Sequence, residues 1–294
     1  MSIVTFWNDD REQSGKTLTA VAVATRMSIE YNYKILLIST SFQDTTMKNC
    51  FWGGEVQRSL KLFGNKNNNI AVENGIEGIY KLVSANKLTP TVITDYSKVI
   101  FKGRLEVIGS YLGSKENTRE MNYKEYEKIR GSYTELIRMA NQYYDMVLVD
   151  LDKDMPEDIV SEILQISNVN VIVISQRMES LNRYKDLKEN NMIINSPKTI
   201  PVVGKYMNNT KYNLKNIMKY LEIKKDLDKI SLNMLYFESA EESGVTDLFL
   251  RLKNIKDTSD ENYIFMQDVL KLTEKIIKRL QELQMKMRWK NDTN

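Results

Sequence analysis

An apolar, β-branched run, Ser2-Ile3-Val4-Thr5-Phe6-Trp7, is followed closely by Ser14-Gly15-Lys16-Thr17 and then by a stretch of helix formers, Leu18 to Tyr31, without Gly or Pro. Strand, short loop, Gly-Lys-Thr and helix form the context in which a phosphate-binding P-loop is built. Backbone N–H groups at the helix N-terminus can cradle phosphate oxygens. In such a loop Lys16 meets the β- and γ-phosphates, and the Thr17 hydroxyl reaches Mg²⁺. Ser14, Gly15, Lys16, Thr17 and Leu18 are therefore candidate nucleotide-binding residues.

The loop itself departs from the full pattern, G-x-x-x-x-G-K-[ST], which asks for a first Gly at position 10. The chain has Asp10, and Glu12 and Gln13 stand where backbone freedom is wanted. Glycine serves where backbone must approach phosphate closely or take φ > 0. Asp9, Asp10 and Glu12 also put negative charge where a triphosphate would sit. The alternative is an ordinary strand-to-helix turn with an incidental Gly-Lys-Thr.

Composition narrows the chemistry. The 294 residues suffice for one large domain or two smaller ones, and 42% hydrophobic with 28% charged residues fit a globular protein. No apolar run approaches a transmembrane helix, and the N-terminus enters a strand pattern directly, which implies a cytoplasmic location. The single cysteine, Cys50, fits a reducing compartment. The chain has no histidine, which excludes Ser-His-Asp and Cys-His catalysis and His-ligated metals. Any chemistry must run on carboxylates, Lys, Arg, hydroxyls and Mg²⁺. A net charge of +3 is too mild to argue for nucleic acid.

Further buried-strand patterns occur at Lys34–Ser39, Arg104–Gly109, Tyr144–Asp150, Val169–Ser175 and Ile200–Tyr206. They are continuous rather than alternating, as strands covered on both faces should be. Helical segments are expected at about Tyr123–Gln142 and Leu181–Glu189, and loops at Lys66–Asn69 and Gly113–Asn122. Strands alternating with helices imply an α/β fold with a mainly parallel, doubly wound sheet. Asp150 ends its strand where a Walker B carboxylate would hold Mg²⁺ through water. A loop Asp without a role is the competing reading.

The segment from Ile264 to Lys290 differs in kind. Leu270, Ile276, Ile277, Leu280, Leu283 and Met287 fall near helical spacing, and from Lys271 to Lys290 seven Lys/Arg stand against two Glu. Three readings are open: a helix laid on the domain with a solvated basic face, a membrane-surface helix, or a DNA or partner contact. Lys278, Arg279, Lys286 and Arg288 are the candidates for phosphate or anionic lipid. The organisation expected is an α/β domain over 1–258 and a basic amphipathic helix over 259–294.

These motifs, in this order, resemble the ParA/MinD group of P-loop ATPases with the deviant Walker A form. The family loop reads K-G-G-x-G-K-T, and its signature lysine falls at Arg11 here. Tyr144–Asp150 resembles the family's Walker B, Lys34–Gln43 its switch segment, and Val203–Asn209 the strand end that contacts adenine. The resemblance spans roughly residues 1 to 255. It implies ATP and Mg²⁺ as ligands, with Thr17 and Asp150 at the metal. It further implies an ATP-sandwiched homodimer in which Arg11 reaches the partner's phosphates, and Asn208 and Asn209 near the base. Lys16, Arg11 and Asp150 would carry catalysis.

The departures bear on turnover. Ser39 and Ser41 replace both aspartates of the family's D-x-D, so the group that positions attacking water is missing. Asp44 could compensate or simply cap a helix, and Asp152 could approach Mg²⁺ or remain a solvated loop carboxylate. The expectation is a nucleotide switch for positioning or partitioning a cargo, an ATPase that is slow or inactive. The alternative is a pseudo-ATPase scaffold acting through protein partners. DNA or membrane contact through the basic helix, peripheral to nucleoid or membrane, is consistent with the switch reading.

Overall fold

The computed structural model describes residues 1–10, 13–52, 75–224 and 227–292, with 287–292 described by their backbone alone. The Lys66–Asn69 loop lies outside the described residues. Eight strands among them form one sheet: β1 (Ser2–Trp7), β2 (Ile35–Ser39), β3 (Lys98–Phe101), β4 (Leu105–Ile108), β5 (Met146–Asp150), β6 (Val169–Ile174), β7 (Thr199–Tyr206) and β8 (Asp228–Ser231). Their order is β3-β4-β2-β5-β1-β6-β7-β8, and every pairing is parallel except β3 with β4. The expected doubly wound α/β architecture is present.

The helices are α1 (Lys16–Glu30), α2 (Thr46–Phe51), α3 (Gly75–Ser84), α4 (Arg119–Ile129), α5 (Tyr133–Ala140), α6 (Glu157–Ile166), α7 (Met178–Asn190), α8 (Leu214–Tyr220), α9 (Met234–Glu241), α10 (Val245–Leu252) and α11 (Glu261–Asp292). They cover both faces. Val4 and Phe6 of β1 enter a core with α1, α2, α9, α10 and α11, while Ile3 and Trp7 enter a second core with α3 to α8. That division follows from the two-residue period of a strand. All of β1 and β6 is buried, which is why both read as unbroken apolar runs.

The local differences from the sequence pattern have physical causes. The helix expected over about Tyr123–Gln142 is two helices, α4 and α5, separated by a tight turn at Arg130–Ser132 that contains Gly131. Helix α4 begins earlier than expected, at Arg119, because the Thr118 side chain accepts the Met121 N–H at 3.2 Å. Strands β3 and β8 carry no clear pattern. β3 is a half-exposed antiparallel edge, and β8 is only four residues with two charges.

Helix α11 packs along α1 and β8, burying Phe265, Met266, Val269, Leu272, Ile276, Ile277 and Leu280 in the same core as β1. Part of its basic face is used internally. Asp228 of β8, buried, meets Lys275 and, at 3.7 Å, Lys271. Lys229 pairs with Asp268 at 3.5 Å. Arg279 donates to the Pro197 carbonyl and lies 3.4 Å from Glu282. Lys278 and Lys286 are exposed, and the Arg288 side chain lies outside the described residues. Among the described residues no helix is long and apolar enough to cross a membrane.

Deleting the chain from Asp268 onward should therefore unfold the protein rather than release an accessory helix. Val269, Leu272, Ile276, Ile277 and Leu280 are buried. At about 1.5–3 kcal/mol each, their loss rivals the ~5–15 kcal/mol that holds a typical domain together. A cooperative thermal transition retained in the truncated chain, followed by circular dichroism, would contradict this packing.

Candidate functional site

The strand register brings the motifs to one edge. Phe6 pairs with Asp150 on one side, and Ser39 pairs with Asp150 on the other. The loop after β1, the segment after β2 and the end of β5 thus open together at the carboxyl ends of adjacent parallel strands. This is where α/β sheets bind ligands, at the point where strand order reverses. A cleft of about 540 Å³ lies there. Its lining includes Ser14, Gly15, Lys16, Thr17, Leu18, Ser41, Asp44, Asp152 and Lys205.

Asp150 is fully buried, with Lys16 Nζ against its Oδ1 and the Thr17 hydroxyl donating to its Oδ2 at 2.8 Å. Burial pushes the Asp150 carboxyl above the ordinary aspartate value, and Lys16 and Thr17 pull it back down. Gly15 sits at φ +83°, a left-handed conformation that glycine adopts without strain. It precedes the 15-residue α1, whose first turn carries no acidic residue and no side-chain cap. The N-terminal N–H groups of that helix lack intrahelical partners, and the helix dipole adds positive potential.

The loop is pressed from the far side by β7. A Cβ on Gly204 would fall 2.2 Å from the Ser14 carbonyl oxygen, so only glycine permits this approach. A register shift between Val203 and Tyr206 accompanies it, and Lys205 takes φ +48° with its aliphatic chain over Gly15. Lys205, Phe237 and Glu241 line the cleft. Lys205 falls in the Val203–Asn209 stretch that carries the family resemblance, whereas no local motif marks Phe237 or Glu241.

Other candidates are placed differently. Asn208 and Asn209 are exposed in the turn after β7, outside the cleft lining. Gln176 holds that turn, donating to the carbonyls of Met207 at 3.0 Å and Tyr212 at 2.8 Å and accepting the Met207 N–H at 2.7 Å. Arg11 and Glu12 lie outside the described residues. Asp44 accepts the Thr46 N–H at 2.8 Å, at the start of α2, while also facing the cleft. Ser39 bonds Ser110 at 3.0 Å between hydroxyls. Thr40 accepts the Asp152 N–H at 2.8 Å, and Asp152 accepts the Asp154 N–H at 2.9 Å. The Asp10 carboxylate is turned into the wall of the cleft, where Ser180 donates to it. Cys50 is buried, and burial pushes its thiol up, away from the reactive thiolate.

These residues fit a Mg²⁺-nucleotide. A glycine-opened cradle at a helix N-terminus suits phosphate, and a hydroxyl with a carboxylate suits a hard cation. No group of three or more His, Cys, Asp or Glu that could hold a metal occurs among the described residues. Mg²⁺ at nucleotide sites ordinarily needs only one or two protein ligands beside phosphate and water.

The sheet and its flanking helices form a P-loop NTPase-like α/β fold. More narrowly, the fold is that of the ParA and MinD ATPases. A ParA family ATPase from Chlorobium tepidum TLS superposes with a TM-score of 0.61 at 15% identity, over 92% of this chain and 97% of that one. A MinD septum site-determining protein from Pyrococcus horikoshii OT3, complexed with Mg-ADP, gives 0.59 at 12% identity over 94% and 95%. A Borrelia burgdorferi B31 protein assigned to plasmid partition and bound to AMPPNP gives 0.57 at 14% over 93% and 98%. No protein-family model and no curated protein matches the sequence.

Two stability experiments follow. Gly204→Ala should cost about 1–3 kcal/mol by forcing backbone apart, whereas Gly131→Ala, with open space around it, should be neutral; equal melting temperatures would contradict the close approach. Lys16→Ala should cost about 3 kcal/mol at neutral pH because it leaves Asp150 buried without its cation. The Asp150 carboxyl, already raised, then rises further. A raised acid favours folding below its unfolded value and opposes it as pH climbs through the folded value, so the deficit should shrink on acidification toward pH ~4. A pH-independent deficit in urea titrations would contradict the pairing.

Proposed function

We propose that this protein is a ParA/MinD-type nucleotide switch that binds Mg·ATP in the cleft after β1. The observation that carries the proposal is the convergence of Lys16 and Thr17 on Asp150 at the carboxyl edge of β1 and β5. Ser14, Gly15, Lys16, Thr17 and Leu18 would hold the phosphates, Lys16 exchanging part of its contact with Asp150 for phosphate oxygens. Thr17 and Asp150 would hold Mg²⁺, which supplies charge neutralisation on the phosphates. The turn bearing Asn208 and Asn209, fixed by Gln176, would approach the base. Arg11 would act on the partner's phosphates in an ATP-dependent homodimer. Residues 1–258 would form the nucleotide-binding unit and 259–294 the basic helix.

Turnover is proposed to be slow or lost. Ser39 is occupied by Ser110, Thr40 by Asp152, and Asp44 by the start of α2. These contacts favour a switch segment in which serine hydroxyls stand where the pattern has carboxylates, and in which one Asp44 oxygen is engaged by the start of α2. ATP would then act as a conformational ligand, which requires that it bind one state better than another. The cargo would be a DNA locus or a membrane-bound assembly, reached through a protein partner or through Lys278 and Lys286. If nucleotide binding is absent, the pseudo-ATPase scaffold is the reading that remains.

Calorimetry with Mg·ATP on wild type and Lys16→Ala, with light scattering on the same samples, tests the proposal. Micromolar binding lost in Lys16→Ala, dimerisation with ATP, and turnover of about 10⁻³ s⁻¹ or less against the ~1–10³ s⁻¹ of ordinary enzymes are expected. No binding at millimolar ATP would overturn it.

A further inference from the structure

Asp10 is the residue that most plainly breaks the phosphate-loop pattern, and its sequence position suggests a charge opposed to nucleotide. Its placement suggests the reverse. The side chain is only 7% exposed, and Ser180 Oγ donates to Oδ2. Ser180 is itself buried, in the first turn of α7, and its Oγ also receives the Ser175 N–H at 2.9 Å. The residue preceding α7, Arg177, makes no side-chain cap. A helix N-terminus has unpaired N–H groups and positive potential, and a carboxylate delivered there from another segment is stabilised.

Two neighbouring contacts act in the same direction. The Asp9 carbonyl accepts from Arg183 at 2.9 Å, and Arg183 is steadied by Glu179 at 2.8 Å, both on α7. Asn8, where β1 ends, donates to Ser14 Oγ at 2.7 Å across the base of the loop. On the opposite side Gly204 abuts the Ser14 carbonyl. Asp9 and Asp10 are thus held by α7, and Ser14 is held by Asn8 and abutted by β7.

We propose that Asp10 is a positioning residue, anchored by Ser180 on α7, which holds the start of the proposed phosphate loop in place for nucleotide where the pattern expects a glycine. The anchor replaces backbone freedom with a side-chain tether. It also neutralises the Asp10 charge against hydroxyl and helix dipole. The inference deepens the nucleotide reading and rests on it.

The test restores the pattern. If Asp10 is a defect, Asp10→Gly should tighten Mg·ATP binding. The anchor requires the opposite: Asp10→Gly and Ser180→Ala should each weaken Mg·ATP about tenfold, as expected for one hydrogen bond to a charged group. Ser180→Thr, which keeps the hydroxyl, should restore affinity to near wild type. The double variant should be weaker than either single one by less than the two losses summed, since both remove the contact that Asp10 and Ser180 share. In the ligand-free protein, amide exchange over residues 5–20 should accelerate in Asp10→Gly and Ser180→Ala, while the global melting temperature shifts by much less than in Gly204→Ala. Tighter or unchanged binding in Asp10→Gly, or unchanged exchange, would overturn the proposal. If wild type itself binds no Mg·ATP, the nucleotide reading falls and with it the positioning role, and the exchange result alone reports whether the tether exists.

Discussion

A fully buried carboxylate cannot stay charged without compensation, and Asp150 obtains its compensation from Lys16 and Thr17. That contact ties the loop after β1 to the end of β5 across the sheet's switch point. The rest of the site depends on it. It fixes where α1 starts, so it fixes where the helix N-terminus points. It also leaves Lys16 beside the cleft, where a competing anion can draw it away from Asp150. A buried ion pair of this kind adds little net stability against an apolar substitute. Under the proposed function, a ligand that exchanges with one of its members gives the pair its role.

The segments around the pair are held rather than loose. Thr40 joins β2 to the loop after β5 through the Asp152 N–H, and Tyr126 of α4 donates to the Thr40 carbonyl at 2.5 Å. Asp152 and Asp154 line both the cleft after β1 and an adjoining hollow of about 770 Å³ walled by Phe42, Tyr123 and Tyr126. Movement of the 152–154 loop would therefore be felt in both. On the other flank, β7 and α7 contact the loop after β1 through Gly204 and Ser180. The proposed switch would change state by exchanging such discrete hydrogen bonds.

What the sequence disclosed follows from burial. Strands β1, β2, β5 and β6 are covered by helices on both faces, so each is a nearly continuous apolar run readable without structure. Strand β8 is short, and its Asp228 is buried only because α11 supplies Lys275 and Lys271 from about forty residues away. No local pattern encodes that partnership. The same holds at the site. Gly15, Lys16, Thr17 and Asp150 sit in recognisable contexts, whereas Phe237 and the Gln176 clamp reach it through tertiary packing. Asp10 was misleading for a related reason: its charge is legible in sequence, but the Ser180 that receives it lies on another helix. The basic C-terminal segment reads equally as a helix laid on the domain or as a surface for lipid, DNA or a partner, and part of its charge is matched within the fold.

Hydrogen–deuterium exchange of the full chain with and without saturating Mg·ATP tests the central claim most directly, because it reports on the Lys16–Asp150 edge without assuming turnover or a cargo. Slowed exchange concentrated over residues 13–19 and 150–154, with α11 unaffected, is the expected result. Unchanged exchange at both segments, or protection confined to another part of the chain, would contradict the assignment of this cleft as a nucleotide site.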